Sequence, residues 1–88
     1  MLPALFQVNN HHFEVIRKFT SLLLIVDGTI VQRRDGLFNQ RLTSSEFVWN
    51  STENGKTVCY LFKTKIGIIL DKVTLYQDGK EIDTKRFV

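Results

Sequence analysis

The chain has 88 residues, 43% of them hydrophobic and seven of them Phe, with twelve basic against nine acidic residues for a net charge of +3. That length suffices for one domain, taken as residues 1–88, and the apolar content excludes disorder, because enough surface can be buried to offset the ordering entropy. The weak positive balance excludes a polycationic nucleic-acid tail, and the single Cys59 excludes both an internal disulfide and a Cys-based zinc site, which fits a reducing, cytoplasmic setting.

Met1 to Phe6 is apolar but lacks a basic flank and runs into Asn9-Asn10-His11-His12, so no secretory leader is expected there. The longest unbroken apolar run, Leu22 to Val26, falls far short of the roughly 18 residues that span a bilayer, so no membrane segment is expected. Asn50-Ser51-Thr52 fits the glycosylation pattern, which matters only in a secreted chain and is read as coincidence.

The chain is punctuated by Asp27-Gly28, Asp35-Gly36, Asn54-Gly55 and Asp78-Gly79. A two-residue type I′ turn needs positive φ at both central positions, and Asn or Asp followed by Gly supplies it at least steric cost. Each pair lies between apolar or β-branched runs, the setting that makes a dipeptide a hairpin signal. Asp35-Gly36 is the weakest, because Arg33-Arg34 precede it and Leu37-Phe38 follow, and it fits a longer loop.

In chain order, Phe13 to Ile16 and Leu22 to Val26 read as strands, the second continuing across Asp27-Gly28 into Thr29 to Gln32. A helix over Phe13 to Val26 competes, since Phe13, Ile16, Thr20 and Leu23 fall at helical spacing, but the β-branched content and the closing Asp-Gly favour strands. Phe47-Val48-Trp49 pairs across Asn54-Gly55 with Thr57 to Phe62. Alternation puts Val58, Tyr60 and Phe62 on one face and Thr57, Cys59 and Leu61 on the other; both are partly apolar, which predicts a central strand. Lys65 to Gln77 is long for one strand, and Gly67 with Asp71-Lys72 predicts a bulge or bend. Thr74 to Gln77 and Lys80 to Asp83 flank Asp78-Gly79 as the clearest hairpin. No internal repeat is evident. About seven to nine short strands at spacings near ten residues predict an all-β antiparallel meander, a compact β-sandwich or flattened barrel, in which the Asp35 to Ser45 stretch is the candidate for a crossing between sheets.

Residues able to carry chemistry are few. On a strand His11 and His12 point to opposite faces and cannot chelate one ion, unless the turn signalled by Asn9-Asn10 brings them together. Cys59 lies mid-strand, without the helix terminus or clustered cations that activate a thiol, and reads as a small packed residue. Gly-x-Ser-x-Gly elbows and phosphate-cradling glycine loops are absent, and most acids sit in turns, so the chain is read as no enzyme and no cofactor is expected. The turn-forming residues are Asp27, Gly28, Asn54, Gly55, Asp78 and Gly79. The candidate partner-binding residues are Arg33, Arg34, Arg41 and Trp49. Arg33, Arg34 and Arg41, and Lys56, Lys63 and Lys65, with Trp49, Tyr60 and Phe62, offer a competing reading as a stacking platform with an electrostatic rim for single-stranded nucleic acid; the plainer reading is a solvated face with edge lysines that block aggregation.

Phe13-Glu14-Val15-Ile16, Leu24-Ile25-Val26-Asp27-Gly28, Ser45-Glu46-Phe47, Val58-Cys59-Tyr60-Leu61, Gly67-Ile68-Ile69 and Thr74-Leu75-Tyr76-Gln77-Asp78-Gly79-Lys80-Glu81-Ile82 follow one another in an order and spacing that resemble the Fas apoptosis inhibitory molecule family, its second domain more than its first. The resemblance runs from Phe13 to Asp83 and rests on turn and strand-core residues. It implies one β domain of a tandem pair, a cytoplasmic, non-enzymatic protein that restrains death-receptor signalling and protects against protein aggregation through protein partners. It transfers no catalytic or binding residue. A small viral or bacterial inhibitor that blocks a partner's surface shares the same composition, and an exposed edge strand would favour it, since strand addition is a common way for β proteins to bind.

Overall fold

A computed structural model describes residues 2–35, 44–67 and 71–87. The strands are β1 (Ala4–Val8), β2 (His11–Lys18), β3 (Ser21–Val26), β4 (Thr29–Arg34), β5 (Ser44–Glu53), β6 (Lys56–Ile66), β7 (Asp71–Gln77) and β8 (Lys80–Phe87). They form two four-stranded antiparallel meanders, β1-β2-β3-β4 and β5-β6-β7-β8. The passage from one sheet to the other falls between Asp35 and Ser44, the stretch marked out by sequence for a crossing; Gly36 and Arg41 lie outside the described residues.

The hairpins follow from local chemistry. Asp27-Gly28, Asn54-Gly55 and Asp78-Gly79 each carry two positive φ values, 49° and 85°, 52° and 79°, 50° and 84°, the pattern of a type I′ turn. Asn9-Asn10, at 50° and 66°, closes β1 onto β2 without a glycine, because the short amide side chain tolerates the left-handed region. The strands on either side of Asp35-Gly36, β4 and β5, belong to different sheets. The segment read as one bent strand is two: β6 ends at Ile66 and β7 begins at Asp71, running back antiparallel with Ile66 opposite Asp71. The bulges lie elsewhere, between Leu24 and Ile25 against β4 and between Leu75 and Tyr76 against β8. β1 was not legible as a strand in the sequence. The helix over Phe13 to Val26 is not formed.

Those two bulges belong to a repeat that composition conceals. The Asp27 N–H donates to the His12 carbonyl at 2.8 Å and the His12 N–H to Asp27 Oδ1 at 2.8 Å. In the second sheet the Asp78 N–H donates to the Cys59 carbonyl at 2.8 Å and the Cys59 N–H to Asp78 Oδ1 at 2.9 Å. Each turn Asp thus clamps its hairpin to the next strand by the same pair of bonds, in the same place of a four-stranded meander with the same bulge. The expectation of no internal repeat is corrected: the repeat is one of geometry, carried by few identical side chains.

The inward faces meet in one core of Ala4, Phe6, Phe13, Val15, Leu22, Leu24, Val26, Phe47, Tyr60, Phe62, Val73, Leu75 and Phe87. Phe13 is its centre, with ring centroids 4.9 Å from Tyr60, 5.1 Å from Phe62 and 5.7 Å from Trp49. β6 lies between β5 and β7 and buries Tyr60 and Phe62, as its alternation predicts. Arg34 and Gln32 of β4 reach across to donate to the Glu46 and Val48 carbonyls of β5. These bonds occupy acceptors on an edge strand that would otherwise invite another chain. At the other side of the core the buried Asp71 accepts from Arg17 of β2 at 3.2 Å and from the Gly67 N–H at 3.2 Å.

Candidate functional site

Two features stand out, one at each end of the sandwich. At one end the Asn9, Asp27, Asn54 and Asp78 turns come together, and a polar network joins the sheets beneath them. His11 opens β2, and its ring lies edge-on to Trp49 at 5.1 Å. Its Nδ1 is 2.9 Å from Asp27 Oδ2 and its Nε2 is 2.9 Å from Glu53 Oε1. The Tyr60 hydroxyl donates to Glu53 at 3.0 Å and accepts from Asn9 Nδ2 at 3.0 Å. A cleft of about 730 Å³ opens over this network, lined by Asn9, Asn10, Ser51, Thr52, Lys56 and Gln77 among others.

The electrostatics follow from the geometry. The hydrogen bond to Asp27, aided by the charges of Asp27 and Glu53, holds the His11 pKa above its ordinary 6.5, against the opposing effect of burial. Asp27 sits below its ordinary 3.8, through His11 first and the His12 N–H second. Burial, and then Glu53, pushes the Tyr60 hydroxyl up. With a carboxylate within hydrogen-bond distance of each ring nitrogen, His11 links two acids through both of its nitrogens. The network is a staple across the sheets. His12 points to the other face, towards Gln7 at 3.2 Å and Glu14 at 3.3 Å, as strand alternation requires.

At the opposite end the β2–β3 turn holds Phe19, 78% exposed with φ of 56°. It borders a groove of about 390 Å³ lined by Lys18, Phe19, Thr20, Ser21, Leu23, Ile30 and Arg33. The register continues this patch over the outer face of the first sheet. Leu5, Glu14, Ile25 and Ile30 form one cross-strand row, and Ile16, Leu23 and Arg33 the next. Leu5 and Ile30 are 45% and 58% exposed. Scattered apolar side chains are ordinary on a surface; a contiguous set is the signal of a contact.

Of the candidate residues singled out by sequence, the described ones, Arg33, Arg34 and Trp49, are not brought together. Arg33 lies on this outer face, paired with Asp35 at 2.6 Å. Arg34 faces inward over the Phe47 ring at 5.3 Å. Trp49 packs against the core, and Tyr60 and Phe62 are fully buried. The stacking platform for single strands built on Trp49, Tyr60 and Phe62 is therefore corrected, because those rings are spent on the core. Lys56 lines the cleft at the turn end, apart from Lys63 and Lys65 on the outer face of the second sheet. Cys59 is half-buried on that face. Sequence reasoning missed Phe19; the available signal was a turn position holding an aromatic where Gly, Asn or Asp would be expected. Comparison with family models, curated proteins and solved structures finds no match.

Proposed function

We propose that the chain is a non-enzymatic protein-binding domain, and that it contacts its partner through the Phe19 groove and the apolar rows beside it. One observation carries this reading. Phe19 occupies a left-handed backbone position that costs about 1–2 kcal/mol for an ordinary L-residue, and its ring gains no burial in return. The chain closes its other two-residue turns with Asn or with Asp-Gly and Asn-Gly, so a cheaper solution was within reach of the same fold. Strain kept without a folding benefit points to a surface used by something else. Lys18 rims the groove, beside the Arg33–Asp35 pair, which suits an apolar side chain next to a carboxylate.

In line with the resemblance to Fas apoptosis inhibitory molecules, we assign this contact to a cytoplasmic regulator that restrains cell death and protects against protein aggregation. The test is light scattering from a heat-aggregating client enzyme mixed with the chain. The parent should delay aggregation at equimolar ratio, and Phe19→Asn should lose the delay while remaining folded. No delay at a tenfold excess, or an undiminished delay from Phe19→Asn, would refute the assignment.

A further inference from the structure

The outer face of the second sheet carries an arrangement that its own stability does not explain. The register sets Lys65 of β6 directly opposite Lys72 of β7, and Lys72 directly opposite Arg86 of β8. All three are exposed and, because Thr64, Asp71, Val73 and Phe87 beside them point into the core, all three project to the same outer side. Lys63, one row along on the same face, lies 5.0 Å over the Tyr76 ring. Like charges directly opposite across a ladder destabilise it. Adjacent strands are only about 4.8 Å apart, so the three backbone positions span about 10 Å. The register places the acids Glu46, opposite Lys63, and Glu81, opposite Tyr76, on this face, and neither is opposite a member of the row.

Beside this row runs a groove of about 410 Å³ lined by Ser44, Lys63, Thr64, Lys65, Lys72 and Thr74. Its walls are largely the aliphatic stems of the lysines and threonines, with ammonium groups at the rim, and no carboxylate lines it. We infer that this face binds the phosphate backbone of a single-stranded nucleic acid, with Lys63, Lys65, Lys72 and Arg86 as the contacting cations. A concave track of donors fits a linear chain of phosphates. The cations follow one another across three strands, a linear spacing that suits a chain of phosphates rather than one acidic side chain. The site differs from the stacking platform considered from sequence: it uses the opposite face of β6, and the aromatic it holds is Tyr76. It stands independently of the Phe19 surface.

The test is fluorescence anisotropy of a labelled oligothymidylate with the full chain across a salt series. Counterion release for single strands gives a slope of log K against log salt of about −0.7 per phosphate, so four contacts give about −2.8. Lys65→Gln with Lys72→Gln should flatten the slope by about 1.4 and weaken binding about tenfold at low salt. Lys56→Gln with Lys80→Gln removes the same charge elsewhere and should leave both unchanged. Removing opposed like charges should leave the melting temperature at or above that of the parent; Arg86→Gln alone, flattening the slope by about 0.7, serves as a second variant. Equal losses from the two pairs, no oligonucleotide binding at low salt, or binding to phosphatidylserine vesicles without binding to the oligonucleotide would each overturn the inference.

Discussion

His11 Nε2 sits 2.9 Å from Glu53 Oε1, and through that contact the first hairpin of one sheet is tied to the first hairpin of the other. The same ring contacts Asp27 with its second nitrogen, so strands β2 and β5 and the β3–β4 turn meet at one imidazole.

The pH dependence has a definite sign. His11 is raised from 6.5 in the fold, so its stabilisation is complete below 6.5 and is lost as pH climbs through the raised value. Asp27 is lowered from 3.8, so its share is present above 3.8 and is lost as pH falls through the lowered value. The melting temperature should therefore be greatest between those limits. His11→Gln should remove the decline on the alkaline side of 6.5, and the imidazole titration of the parent, followed by NMR, should have its midpoint above 6.5.

Tyr60→Phe separates ring packing from the hydroxyl. The ring remains buried, but Glu53 loses a donor and Asn9 an acceptor. The expected loss is about 1–2 kcal/mol, since the bond is charge-assisted but partly exposed. A domain of this size should show that as a drop of roughly 4–16 °C in melting temperature. Phe13→Ala, at the centre of the core, should cost about 3–5 kcal/mol, and denaturant unfolding distinguishes the two.

The paired turns give an internal comparison. Asp27→Ala and Asp78→Ala each delete the acceptor for one backbone N–H and a residue suited to positive φ. Each should cost about 1–2 kcal/mol. Asp27→Asn keeps the turn and the acceptor but breaks the pair with His11, so it should cost more than Asp78→Asn. Equal costs for the two Asn variants would show that the His11 staple contributes nothing.

Phe19→Asn should raise stability by about 0.5–1 kcal/mol, because Asn accepts the left-handed turn that Phe resists. Thermal unfolding checks it. A loss of stability instead would mean that the Phe19 ring supports the fold.

What was legible in the sequence was what is local. Asp27-Gly28, Asn54-Gly55 and Asp78-Gly79 announce their hairpins because the turn needs those residue types whatever surrounds them, and the alternation of Val58, Tyr60 and Phe62 reports a buried face within one strand. Ala4 to Val8 stayed hidden as a strand because its partner is set only by the Asn9-Asn10 turn, which carries no glycine. Ile66 and Asp71 read as one bent segment because two adjoining strands share the same composition. The proposed contact surfaces were less visible still. Lys65, Lys72 and Arg86 become a row only through a register fixed by two hairpins, and His11 meets Glu53 only when the two sheets pack. Phe19 looks like any apolar residue until its backbone conformation is known.

The claim on which the account turns is that the Phe19 end of the first sheet is the contact surface. Backbone amide shifts recorded while an unfolded client peptide, apolar with flanking acids, is titrated in would test it most directly. The expected result is perturbation concentrated at Lys18 to Leu23 and Ile30 to Arg33, with β5 to β8 unmoved. Perturbations centred on β5 to β8, or none at saturating peptide, would contradict it.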